Sequence, residues 1–247
     1  MTQTSTPPAH ALAPAPQTLG TVLVTGGSSG LGAAVVAAVA TAGGRPISLD
    51  RVSSPELEER GVDQVEVDLV DTRAAEAAVR RTSEQVGGFD AVVTCAGTDA
   101  CGRLEDVPGE AWDRVVLVNL LGTAAVVRAA LPDLLERRGR VVTVASTLGL
   151  RALSDATAYC ASKFGVVGFT RALIAETQGR LGVTLLIPGG MHTAFFDGRS
   201  EQYKPPPDAK LNQPADVAQA VLFALRQPPG CELRELVVTP SVEGSWP

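Results

Sequence analysis

A tyrosine and a lysine stand four residues apart in Tyr159-Cys160-Ala161-Ser162-Lys163. On a helix that spacing stacks both side chains on one face. The chain has only two tyrosines and three lysines, which sets the pairing apart from chance. A phenol is a weak acid–base group at neutral pH, with an ordinary pKa of about 10. A nearby ammonium favours the phenolate and lowers that value. The pair can then pass a proton to or from a substrate oxygen. A surface tyrosine beside a solvated lysine would show the same spacing. Ser146 closes an apolar run, where its hydroxyl would meet a carbonyl or alcohol oxygen, or would only cap a turn. Asn119 falls inside a helical pattern that suits asparagine poorly. Its amide has two uses open to it: holding a backbone group or water, or facing solvent.

The second chemical element is Thr25-Gly26-Gly27-Ser28-Ser29-Gly30-Leu31-Gly32. The apolar run Thr21–Val24 before it reads as a buried parallel strand. The small-residue run Ala33–Ala40 after it reads as a helix. A glycine-rich turn between the two lets backbone approach an anion closely. The N–H groups and positive end of the helix then hold a pyrophosphate. The glycines fall as Gly26-x-x-x-Gly30-x-Gly32, wider than the usual dinucleotide spacing, and an ordinary strand-to-helix turn would fit them too.

These residues need a scaffold, and the remaining pattern supplies one. Strands are expected at Pro46–Asp50, Gln64–Val67, Ala91–Val93, Arg140–Ala145, Val183–Ile187 and Glu235–Val238. Helices are expected near 72–86, 109–138, 156–179 and 216–226. Strands alternating with helices predict an α/β domain with a doubly wound parallel sheet, over residues 19–247. Ligands of such sheets lie at the carboxyl ends of the strands. Residues 1–18 are Pro- and Ala-rich without periodicity and are expected to be a disordered tail. Residues 191–213 are irregular and Pro-rich, as expected of a loop over a substrate.

Composition excludes several classes. Of 247 residues, 45% are apolar, which is incompatible with a disordered chain. The net charge of −6 argues against nucleic-acid or anionic-membrane partners. No apolar run reads as a membrane span. Four cysteines (Cys95, Cys101, Cys160, Cys231) and two histidines (His10, His192) show no metal-ligand spacing, so no metal is expected. A cytoplasmic protein with reduced thiols, lacking a signal peptide, is the expectation.

Taken together, the motifs resemble the short-chain dehydrogenase/reductase family from about residue 19 onward. The glycine turn matches the family's cofactor turn, and Asp68-Leu69 its adenine contact. Thr94-Cys95-Ala96-Gly97 stands where the family has Asn-Asn-Ala-Gly. Pro188-Gly189-x-Met191-x-Thr193 matches the loop that holds the nicotinamide. Asn119, Ser146, Tyr159 and Lys163 match the catalytic tetrad. The resemblance implies a Rossmann-like fold and hydride transfer between a nicotinamide cofactor and an alcohol or ketone. Tyr159 would be the acid or base, and Lys163 would lower its pKa and bond the ribose. Ser146 would orient the substrate oxygen, and Asn119 would hold a water. Cofactor contacts would come from Gly26, Ser28, Ser29, Gly30, Leu31, Asp50, Arg51, Asp68, Leu69, Cys95, Ala96, Gly97, Tyr159, Lys163, Pro188, Gly189, Met191 and Thr193.

Asp50 ends the second strand about 20 residues after the glycine turn, which favours NAD over NADP. Arg51 and Arg45 are the residues placed to reach a 2′-phosphate. The expected substrate wall is Leu148, Leu150, Leu153, Phe195 and Phe196, with Tyr203. Arg151 and Arg199 would either bind a carboxylate or stay in solvent. A homotetramer is implied, or failing that a dimer, paired through the helices of Asn119 and Tyr159. The competing reading is a non-catalytic dinucleotide-binding redox sensor or scaffold. An epimerase or dehydratase is a third, disfavoured by the short region after the last helix.

Overall fold

The computed structural model describes residues 18–246, so the expected tail at 1–18 lies outside it except for Thr18. A seven-stranded parallel sheet runs in the order β3-β2-β1-β4-β5-β6-β7. The strands are β1 (Thr21–Thr25), β2 (Arg45–Asp50), β3 (Asp63–Glu66), β4 (Ala91–Thr94), β5 (Arg140–Val144), β6 (Gly182–Pro188) and β7 (Glu235–Val238). Helices α1 (Gly30–Thr41), α2 (Pro55–Glu59), α3 (Thr72–Val86), α4 (Gly109–Val116), α5 (Thr123–Arg137), α6 (Thr157–Glu176) and α7 (Pro214–Leu225) connect and cover them.

Both faces of the sheet are buried, and the alternation along β1 shows how. Val22 and Val24 pack beneath α1 and α7, while Leu23 between them packs beneath α3 and α5. Successive strand side chains point to opposite faces, so a sheet covered on both sides needs apolar residues throughout. Phe89, Ile47 and Leu49 are fully buried on the α3–α5 side. Local signals set the helix ends. Asp71 caps α3 by accepting from Arg73 N and Ala74 N, and Gly87 stops it with φ +79. Pro214 opens α7 at a position where its missing N–H costs nothing.

Helix α2 was not anticipated by periodicity, being a single turn started by Pro55. The expected 109–138 helix is interrupted. A π-helical stretch, Leu117–Gly122, joins α4 to α5 and contains Asn119. Gly109–Arg137 as a whole has the length and apolar composition of a membrane-crossing helix, which corrects the reading of no such run. More than half of its apolar window is buried inside the domain, as befits a core helix.

The strand order reverses between β1 and β4. The chain leaves β1 and β4 in opposite directions there, opening a crevice at the carboxyl ends. Register aligns those ends: Thr25 pairs with Leu49 and Thr94, Thr94 with Thr143, and Val144 with Leu186. Apart from Arg45, which begins β2, and Asn119, Tyr159 and Lys163, every predicted site residue lies at or after the carboxyl end of a strand.

Candidate active site

The crevice opens into a cleft of about 1760 Å³ whose two halves differ in chemistry. One half is a backbone cradle. Gly26 has φ +68, and a Cβ there would come within 2.8 Å of Ala96 Cα. A Cβ on Gly32 would lie 2.0 Å from Gly26 O, inside the turn itself. Only glycine closes the loop this tightly. Ser29 precedes α1 without a side-chain cap, so the first-turn N–H groups lack a side-chain partner. Gly26, Ser29, Gly30 and Leu31 line the cleft. Ser28 does not. Its N–H donates to Asp50 Oδ2 (3.1 Å) and its hydroxyl to Val52 O (2.8 Å), so it positions Asp50 instead.

Asp50 and exposed Arg51 stand beside the cradle, with Asp50 Oδ1 accepting from Arg51 N at 2.7 Å. Arg45 does not reach this region. It begins β2, whereas Asp50 ends it, and its guanidinium pairs with Asp63 at 2.7 Å. Asp68 and Leu69 form the next part of the wall. Burial pushes the Asp68 carboxyl up, but the Val70 N–H and the Arg114 guanidinium outweigh it and hold it below its usual range. Arg114 also lines the cleft, and its contact with Asp68 spans 46 residues.

Cys95, Ala96 and Gly97 pass over the end of β1, where Ala96 N donates to Thr25 Oγ1 at 3.1 Å. Burial pushes the Cys95 thiol up to about 12, which makes it inert rather than nucleophilic. The Cys101 thiol donates to Asp99 Oδ2 at 3.1 Å. Pro188, Gly189, Met191 and Thr193 close the cradle from the far side. Thr193 Cγ2 lies 3.3 Å from the position of a Cβ on Gly30, and Met191 bridges to Asn212.

The other half of the cleft carries Tyr159, Lys163 and Ser146. Tyr159 and Lys163 share one face of α6, with Lys163 Nζ 5.6 Å from the phenol ring centroid. Lys163 is buried and donates to Val144 O at 2.9 Å. Burial pushes its ammonium down to about 8. Ser146 is buried at the end of β5, its Oγ accepting from Leu148 N at 3.1 Å. Its own proton is directed at the Tyr159 oxygen. The turn that follows, Thr147–Gly149, lies tight on α6: a Cβ on Gly149 would sit 2.9 Å from Lys163 O.

Two expectations about these residues change. Burial pushes the Tyr159 phenol up to about 12, aided by Asp99 and Cys160 and opposed by Ser146 and Arg199. Lys163 does not lower it below the ordinary value here. Asn119 is buried, and its amide is committed. Oδ1 accepts from Thr98 N (2.8 Å), while Nδ2 donates to Thr98 O (2.9 Å) and Ser162 Oγ (3.0 Å). Both amide protons are used, so the side chain ties the 97–98 segment to α6. The π-helical turn sets Asn119 at that junction, as such bulges do at functional sites.

Leu148, Leu153, Phe195, Phe196 and Tyr203 line the cleft. Leu150 instead packs against the core with Val166 and Ile187. Arg151 reaches Gly244 O at 3.1 Å. That arginine is exposed, whereas Arg199 is not in solvent; it pairs with Asp99 at 2.6 Å. The segment 242–245, which the sequence reading did not include, also lines the cleft. Glu243 Oε2 accepts from Gly190 N at 3.0 Å, and Ser245 Oγ lies 2.7 Å from Thr147 Oγ1.

Comparison with known proteins agrees with this geometry. The short chain dehydrogenase family matches residues 20–204. The chain is 33% identical to glycine betaine reductase ATRR of Emericella nidulans over 236 residues. That match covers 90% of this chain but spans only 19% of that protein. It is 30% identical to L-fucose dehydrogenase of Mus musculus, covering 90% of this chain and 88% of the relative. A solved variant of actinorhodin polyketide ketoreductase with NADPH superposes with a TM-score of 0.79 at 30% identity, over 89% of this chain and 95% of that one. The chain therefore belongs to the short-chain dehydrogenase family of nicotinamide-dependent oxidoreductases.

Proposed function

We propose that the protein is an NAD-preferring dehydrogenase or reductase acting on an alcohol–ketone pair, with Tyr159 as the general acid or base. One observation carries this reading. Tyr159, Lys163 and Ser146 line the same cleft as the glycine cradle, at the end of β5. The residues present fit a dinucleotide. Gly26, Gly30 and Leu31 would face its phosphates, Asp50 its adenosine ribose, Asp68 and Leu69 its adenine, and Pro188–Thr193 its nicotinamide. When bound, the cofactor supplies the hydride chemistry.

The chain's own residues handle the proton. With its pKa well above neutral, Tyr159 is a protonated acid at pH 7 and can give its proton to a carbonyl oxygen. Ser146, hydrogen-bonded to the Tyr159 oxygen, donates its proton to the substrate oxygen instead when substrate is bound, and orients it. Lys163 uses one proton on Val144 O, which leaves two for a ribose hydroxyl and the phenol side. Asn119 positions α6 through Ser162 and the 97–98 segment through Thr98. The wall of Leu148, Leu153, Phe195 and Phe196 suits a substrate with an apolar part.

A panel of alcohols with NAD, and of ketones with reduced cofactor, tests the reading across pH. Oxidation requires the phenolate, so its rate is expected to climb through the alkaline range, while reduction declines there. Saturable cofactor binding with no turnover on any alcohol or ketone would favour the sensor or scaffold reading. The relative solved with NADPH carries the phosphorylated cofactor; here Asp50 supports NAD.

The reading includes a homotetramer paired through α4–α5 and α6. Leu121 and Phe164, from the π-helical stretch and α6, are 45% and 44% exposed in one chain. Large apolar side chains on adjacent helices call for a partner surface. Light scattering at micromolar concentration is expected to give four times the chain mass, and a monomeric mass would contradict it.

A further inference from the structure

Asp99 and Arg199 lie 100 residues apart in sequence and meet at 2.6 Å. Their side chains are 7% and 19% exposed, so neither charge is solvated as a surface ion would be. Asp99 belongs to the segment that leaves β4. Arg199 belongs to the segment that leaves β6. The guanidinium lies over Phe196 at 4.6 Å and Phe195 at 5.1 Å, and Nη1 donates to Tyr203 O at 3.2 Å. On the other side, Asp99 accepts from Ala100 N (2.7 Å) and from Cys101 Sγ (3.1 Å). Phe195 in turn packs on Tyr159 with ring centroids 5.8 Å apart. One chain of contacts thus runs from the β4 exit, through the ion pair and an aromatic pair, to the phenol.

We infer that Asp99 and Arg199 form a latch that closes the 191–213 segment over the cleft and seats Phe195 against Tyr159, which makes both of them positioning residues for the proton-transferring phenol. The inference rests on the reading of Tyr159 as the acid–base group. Removing one member of a buried pair leaves the other charge uncompensated, which is worse than removing both. The latch also bears on specificity. Arg199 already faces a carboxylate, so an anionic substrate group would have to displace Asp99 to reach this guanidinium.

The groups facing the phenol are Ser146 from the β5 exit, Lys163 and Cys160 from α6, Asp99 from the β4 exit and Arg199 from the β6 exit. Asp99 and Arg199 act on it with opposite signs. Loss of Asp99 therefore eases ionisation of the phenol, and loss of Arg199 hinders it.

The test uses Asp99→Asn, Arg199→Met and the double variant in the full chain. Hydrogen exchange of residues 194–204 is measured without substrate, and KM and the pH midpoint of alcohol oxidation with substrate. All three variants are expected to exchange faster over 194–204. Each single variant should raise KM by roughly tenfold, the scale of coupling between contacting residues. The midpoint should move to lower pH in Asp99→Asn and to higher pH in Arg199→Met, and return towards the wild-type value in the double variant. Unchanged exchange in all three, or both single variants moving the midpoint the same way, would overturn the latch. Faster exchange in the variants combined with full turnover by Tyr159→Phe would instead remove the phenol from the mechanism and leave the closing role intact.

Discussion

Tyr159→Phe is expected to fold, to bind cofactor and to lose turnover by roughly 10²–10⁴-fold, the contribution of a positioned proton donor. The substitution removes one oxygen and keeps the ring that packs on Phe195 at 5.8 Å. Its effect on stability should accordingly be small, because the phenol oxygen accepts no backbone bond that the fold depends on. Lys163→Ala would be a less clean experiment. Lys163 is buried and bonded to Val144 O, so its loss would disturb α6 against β5 as well as the chemistry. Comparing kcat with the cofactor dissociation constant in Tyr159→Phe separates the two roles. Turnover within a few-fold of wild type would remove Tyr159 from the mechanism.

Cofactor choice carries the second large effect. Asp50 is held by two backbone N–H groups, from Ser28 at 3.1 Å and Arg51 at 2.7 Å. Such a carboxylate cannot swing away from a 2′-phosphate. Two like charges 4 Å apart near a protein surface repel by about 4 kcal/mol. Arg51 is the compensating cation, but it is exposed, and exposed ion pairs return only about 0–1 kcal/mol. Arg45, the other cation considered, is tied to Asp63 at the opposite end of its strand. Repulsion therefore exceeds attraction, and kcat/KM is expected to be higher with NAD. Asp50→Ala should narrow that preference by at least roughly tenfold or reverse it, since every 1.4 kcal/mol is a factor of ten. A wild-type enzyme more efficient with NADP would show that Arg51 sets the choice.

What could be read from the sequence was what local rules determine. The Tyr159–Lys163 spacing holds because both lie on one helix, and the Gly26–Gly32 turn holds because strand, turn and helix are contiguous. All seven strands fall where apolar runs placed them, within a residue or two. The misses have physical causes. Arg45 was assigned by closeness in sequence, yet five residues of strand separate it from Asp50 by roughly 16 Å. Leu150 was assigned by its apolar character, which a core residue shares with a pocket residue. The π-helical stretch at Leu117–Gly122 has no periodicity signature of its own; a backbone partner for Asn119 was one of the readings open, but that it would be Thr98 could not be seen. The contacts Asp99–Arg199, Asp68–Arg114 and Glu243–Gly190 join residues 46 to 100 positions apart and exist only once the strand ends converge. The raised phenol pKa is likewise a consequence of burial rather than of its lysine neighbour. One signal was available and unused: Ser54-Pro55-Glu56 is an N-terminal helix signature for α2.

The central claim is hydride transfer to a nicotinamide at the wall formed by Tyr159 and Ser146. A secondary alcohol carrying deuterium on its carbinol carbon, found by the substrate panel and incubated with the protein and NAD, tests it directly. Mass analysis of the nicotinamide then follows the label. The expected result is reduced cofactor that has gained one deuterium with wild-type protein, and label transfer slowed by roughly 10²–10⁴-fold with Tyr159→Phe. Reduced cofactor without the label, or equal label transfer by both proteins, would contradict the account.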